Sequence, residues 1–111
     1  MLKYEYTFYL PQYVADNHGC PTAVRDIEAT FVFLDHLMHV AMGYTTITND
    51  AVGAWDNGDD VTIREAMTIV KSTMDRMVFE QLVVPHLREF KKTMNQVTVY
   101  VTATQVEVCY V

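Results

Sequence analysis

The chain has 111 residues, 50% of them hydrophobic and 20% charged, which suits one globular domain spanning residues 1–111 with a core that needs no staples. The formal net charge is −6 and Lys91–Lys92 is the only basic pair, so a phosphate-tracking surface is hard to build and nucleic acid is not an expected partner. No apolar run reaches the length of a membrane span, Lys3 and Glu5 interrupt the first apolar stretch where a signal peptide would continue, and Cys20 and Cys109 make no disulfide framework; a soluble cytoplasmic protein with no membrane contact is expected.

Residues 2–10 alternate, with Leu2, Tyr4, Tyr6, Phe8 and Leu10 on one face and Lys3, Glu5, Thr7 and Tyr9 on the other, and Pro11 closes this first strand. The polar stretch 12–20, with Asn17-His18-Gly19, reads as a loop able to cover an opening. Pro21 suits the first turn of a helix over residues 22–42, where Val24, Ile27, Phe31, Leu34, Met38 and Ala41 recur at helical spacing and Gly43 takes the C′ position. A second strand runs from Tyr44 to Thr48 and continues over residues 51–55 past a bulge marked by Gly53.

Asn57-Gly58 is the strongest hairpin signal and leads into Val61–Lys71. Six of those eleven residues are β-branched, which favours a pleated strand over a helix. Ile63, Met67, Val70 and Met74 also recur at helical spacing behind Asp60, but that helix would need upwards of about thirty residues and would run past Pro85, against ordinary helix lengths. A second helix is expected over residues 76–95, capped from Ser72–Asp75 and facing the core with Met77, Leu82, Leu87, Phe90 and Met94. Pro85 should kink it or divide it in two. Val97, Val99 and Val101, then Val106, Val108 and Tyr110, predict two last strands joined at residues 102–104. The order predicts an α+β, ferredoxin-like β-α-β-β-α-β sandwich with a short extra C-terminal strand, both helices lying on one face of an antiparallel sheet. Thr68, Val70, Tyr100, Cys109 and Val111 are expected on the other face, and an open face this apolar predicts a homo-oligomer.

Glu65 shares its strand face with Val61, Ile63, Met67 and Ile69. A carboxylate in that row must pair, take up a proton, or face a cavity that water or a ligand fills. The plain alternative is a structural ion pair with Arg64, Lys71 or Arg76. Asp35, His36 and His39 supply part of a metal-ligand set but no fourth group, so a solvated helix face is the better reading and no metal is expected. His18 and His86 read as surface residues, the methionines as adaptable core filler, and Trp55 as a hydrophobic anchor at the sheet edge before it reads as a ligand platform.

The layout Gly43-Tyr44, Gly53-Ala54-Trp55, Arg64-Glu65-Ala66, a helix and then valine-rich strands resembles a set of small bacterial and phage proteins with a Gly-rich second strand and an Arg-Glu step in the third. It also resembles the phage-encoded S-adenosylmethionine lyases, trimers of ferredoxin-like subunits similar to PII signalling proteins. The resemblance implies a homotrimer that cleaves S-adenosylmethionine to methylthioadenosine and homoserine lactone by attack of the substrate's own carboxylate, with no cofactor and with the active site between subunits. Glu65 matches the family's Arg-Glu step and is the implied catalytic residue. Tyr44 and Trp55 are candidates to contact adenine or the sulfonium because they neighbour it in the predicted sheet. No assisting tyrosine of the family can be matched here. A non-enzymatic oligomeric PII-like module that binds a small ligand or a host protein is the alternative.

Overall fold

A computed structural model describes every residue except Asn57 and Asp59. The chain is α+β, with a four-stranded antiparallel sheet carrying helices on one face, compatible with a ferredoxin-like layout. Strand β1 (Leu2–Pro11) is central and pairs with β5 (Thr62–Met74) on one side and β6 (Tyr100–Glu107) on the other. Strand β4 (Thr45–Asp56) lies outside β5, giving the order β4-β5-β1-β6. A small hairpin of β2 (Tyr13–Ala15) and β3 (Pro21–Arg25) follows β1 directly. Residues 62–71 therefore extend rather than coil, as their β-branched content favours.

Tyr6, Phe8 and Leu10 of β1 and Val70 and Met74 of β5 face the helices and build the core with Phe33, Leu34 and Leu37 of α1 (Ile27–Ala41). Phe8 meets the Phe33 ring at 5.3 Å and 62°, an edge-to-face contact that adds to plain area burial. Thr68 and Val70 thus belong to the helix-covered face and not to the open one, because Val70 pairs with Phe8 and strand side chains share a face with their direct partners. Tyr100 does lie on the open face, opposite Tyr9, while Cys109 and Val111 lie beyond the sheet.

Three boundaries differ from the sequence reading. Residues 21–25 are a strand, and α1 begins only after Asp26, whose carboxylate accepts the Ala29 N–H at 2.9 Å as an N-cap. Its buried stripe is Thr30, Phe33, Leu34 and Leu37, so Ile27, Phe31 and Met38 are turned outward, and Met42, rather than Gly43, takes the left-handed position after the helix. The last two expected strands are one: β6 runs unbroken through residues 102–104, which contain no Gly, Pro or Asn to turn the chain and which pair with β1 throughout.

The second helix is continuous over residues 76–93 in three parts: α2 (Arg76–Val78), a π-helical turn (Phe79–Val83) and α3 (Val84–Thr93). Pro85 is the second residue of α3, so its missing N–H falls where the wider turn, closed by the Val84 N–H on the Phe79 carbonyl, gives way to α-helical bonding. The wider turn just before it relieves the clash that a proline ring imposes on the preceding turn. It also sets the face: Phe79, Val83, Leu87, Phe90 and Met94 point inward, while Met77 and Leu82 stay exposed. The Asp75 side chain makes no cap.

The β4 to β5 hairpin is present, with its outermost pair at Asp56 and Thr62. Residues 57–61 connect the strands, and the Asn57-Gly58 turn expected there lies partly outside the described residues. The register shifts between Thr46 and Thr48 and again between Thr48 and Ala51, whereas Gly53 pairs regularly with Glu65.

Candidate functional site

Pairing of β1 with β5 stops at Pro11 and Met67, and the Gln12 N–H adds one further bond to the Ala66 carbonyl at 3.0 Å. Beyond that point β4 and β5 continue alone, and Glu65 and Trp55 are on this extension. The buried Gln12 anchors its base: Nε2 donates to the Asn49 carbonyl at 2.6 Å and to Thr68 Oγ1 at 3.3 Å, and Oε1 accepts from Arg25 Nη2 at 3.4 Å.

Gly53 determines where Trp55 goes. A Cβ at residue 53 would lie 2.6 Å from Met67 Sδ and 3.0 Å from the Trp55 ring, so the absence of a side chain lets the indole lie back along β4 and over Met67. That explains why Met67 is buried on the face that no helix covers. The indole then reaches Tyr100, centroids 5.8 Å apart, and Tyr100 in turn lies 5.3 Å from Tyr9. These rings, Glu65 and Met67 line a cavity of about 600 Å³ on the open face of the sheet.

The turn after β2 closes one side of this cavity through Asn17, His18 and Gly19. Asp16 holds that turn by accepting the His18 and Cys20 N–H groups at 2.8 and 2.9 Å, bonds that pull its carboxyl below the usual carboxylate range. Gly19 occupies a left-handed conformation at φ 81 that other residues adopt only with strain.

Glu65 is half-buried, and burial pushes its carboxyl above the usual glutamate value. The nearby Trp55 indole opposes that shift more weakly. Trp55 Nε1 is itself shielded from solvent and makes no hydrogen bond of good geometry, so it lies close to the carboxylate without being aligned on it. The ion-pair alternatives for Glu65 are spent elsewhere: Lys71 reaches Glu5 at 3.3 Å and Arg76 reaches Glu80 at 2.9 Å. Arg64 is in no ion pair among the described residues. Among the described residues the cavity lining thus holds two carboxylates, Glu65 and Asp56, and no Lys or Arg, while the Trp55 N–H is enclosed beside Glu65.

Glu65 and Trp55 are together here, but Tyr44 is not with them. It lies just before β4 while Trp55 lies near its end, a separation of roughly 36 Å at strand rise. Tyr44 instead borders a separate hollow of about 720 Å³ with Lys3, Lys71 and Asp75. Of the helix cluster, His36 stacks on His86 of α3 with centroids 3.6 Å apart, and His39 Nδ1–H donates to the Asp35 carbonyl at 2.7 Å. Among the described residues no three His, Cys, Asp or Glu side chains converge to hold a metal. Tyr9 and Tyr100 are the site residues that pattern reading missed. Tyr9 stood in a polar row with Lys3, Glu5 and Thr7, and only the pairing of β1 with β5 shows that row to share the face of Glu65.

Fold and cavity together define a small α+β domain with an aromatic, acidic pocket on its uncovered sheet face. No family model, no curated protein and no solved structure matches the chain. Among the described residues no helix is long and apolar enough to cross a membrane.

Proposed function

We propose that this protein is a ferredoxin-like S-adenosylmethionine lyase whose substrate binds in the cavity of Glu65. The observation that carries the reading is a half-buried carboxylate that has no counterion among the described residues and stands among aromatic walls, a setting that selects a small organic cation bearing a planar ring. In the reaction, a substrate carboxylate oxygen bonds to Cγ as the Cγ–S bond breaks, and the bond's electron pair passes to sulfur. The carboxylate and sulfonium charges cancel, leaving a lactone that still carries the ammonium group and a neutral thioether, and no proton, metal or redox partner is needed.

Because opposite charges cancel on the way to the transition state, an apolar cavity destabilises the reactant more than the transition state and speeds the step. Met67, Ile63 and Pro11 supply such surroundings. Glu65 is assigned to the substrate's ammonium group, which keeps its charge throughout, so the carboxylate orients without opposing the charge collapse.

Incubation of the purified protein with S-adenosylmethionine, followed by mass spectrometry, tests this reading. Methylthioadenosine and homoserine lactone should accumulate, and Glu65→Gln should remain folded while losing turnover by about a hundredfold or more, the scale of a lost positioning contact. Saturable binding with no product would support the non-enzymatic oligomeric module instead, and no binding at all would end both readings.

A further inference from the structure

The three aromatic rings of the cavity have an arrangement that neither an anchor nor a stacking platform needs. Tyr9 and Tyr100 meet at 49° and Trp55 and Tyr100 at 55°, with centroids 5.3 and 5.8 Å apart. Rings inclined in this way do not stack on one another, and they stand as walls of one hollow. Aromatic faces are electron-rich, and walls of this kind beside the carboxylates of Glu65 and Asp56 form a region of negative potential.

A primary ammonium ion is strongly hydrated and must exchange water for hydrogen bonds, which the faces of aromatic rings do not replace in full. A fully alkylated cation has no N–H to satisfy and is weakly hydrated, so it loses little by entering and gains contact with every wall. Tyr100 is 48% exposed, which leaves the hollow open on one side.

We propose that the rings of Tyr9, Trp55 and Tyr100, standing beside Glu65, form an aromatic cage selective for an alkylated onium ion, either a sulfonium or a quaternary ammonium, over ammonium itself. The proposal rests on the reading that the Glu65 cavity is the ligand site, but not on lyase chemistry. It makes Tyr9 and Tyr100 specificity-determining residues, and it gives the Gly53 backbone a purpose, since the indole reaches its place in the wall only by lying against that residue.

The chain has one tryptophan, so its single indole N–H resonance reports on the cage directly. Titration with tetramethylammonium chloride should shift that resonance saturably, and ammonium chloride at equal ionic strength should bind about tenfold more weakly or worse. Tyr100→Leu should weaken tetramethylammonium binding by about three- to thirtyfold, whereas Tyr100→Phe, which keeps the ring, should bind like the parent. Ammonium binding as tightly as tetramethylammonium, or an unchanged affinity in Tyr100→Leu, would overturn the cage. The two onium sources separate in a second arm: S-adenosylmethionine binding at least tenfold tighter than choline assigns a sulfonium nucleoside, and the reverse assigns a quaternary amine. If tetramethylammonium binds as described but S-adenosylmethionine is never cleaved, the lyase reading falls and the cage stands. If Tyr100→Leu cleaves S-adenosylmethionine at the parental KM, the cage falls and the lyase reading stands.

Discussion

Glu65 costs the protein stability in its unliganded form. Burial raises its pKa in the folded chain, so at pH values between its unfolded and folded pKa the native state holds more protons than the unfolded one. Stability is therefore greatest below the ordinary glutamate value and falls as pH rises through the folded pKa. Glu65→Gln removes this dependence, and its Tm should exceed the parent's at neutral pH and match it near pH 4, measured by thermal denaturation across that range. An unchanged or lowered Tm at neutral pH would mean that the carboxylate is satisfied in the native state after all. The oddity of this residue was legible in the letters, because period-two reading puts it among Ile63, Met67 and Ile69. Its surroundings were not. Which aromatic rings approach it depends on the β1 to β5 register and on an indole folded over Gly53, and neither is encoded in local periodicity.

Among the elements, strands with clean alternation were the most readable and helix faces the least. Helix α1 has two apolar stripes, and sequence alone gives no reason to bury Phe33 and Leu37 instead of Phe31 and Met38. The choice is made by tertiary packing against Phe8 and Phe90. The same packing brings His36 of α1 onto His86 of α3, stacked at 3.6 Å and 8°, beside a hollow also lined by Asp26, Glu28 and Glu89. Burial and then the neighbouring His36 push the His86 pKa below its usual value, with Glu89 opposing them. A base with a depressed folded pKa binds more protons when unfolded, so stability drops as pH falls below about 6.5 and levels off beneath the folded pKa. His86→Phe keeps a flat ring against His36 and removes the charge. Its Tm should fall less than the parent's between about pH 7.5 and 5.5. Equal losses in the two proteins would show that the stacked pair does not couple α1 to α3 through protonation.

At the scale of the whole molecule, the feature that most needs explanation is the long β4 to β5 extension. The principal extents are 46 × 26 × 24 Å, and the far end of the hairpin has neither β1 beside it nor a helix over it. Two strands alone are marginal in water, and β4 is also an open edge of the sheet whose Val52 is 70% exposed on the face that the helices cover elsewhere. Phe31 and Met38 on α1, with Met42 just after it, add further uncovered apolar surface. Another copy of the chain would relieve both faults. The sheet has two different edges, β4 and β6, so contact from one copy's β4 to the next copy's β6 is head-to-tail and must close into a ring to avoid a filament. We therefore expect a closed homo-oligomer, and a trimer as its smallest ring. Light scattering at micromolar concentration should give about three times the 12.8 kDa chain mass, and Val52→Asp, which puts a charge on the exposed edge strand, should give the single-chain mass with an unchanged circular dichroism spectrum. A parent protein that scatters as a monomer would show that the extension stands without a partner, and the substrate cavity would then have to be complete within one chain.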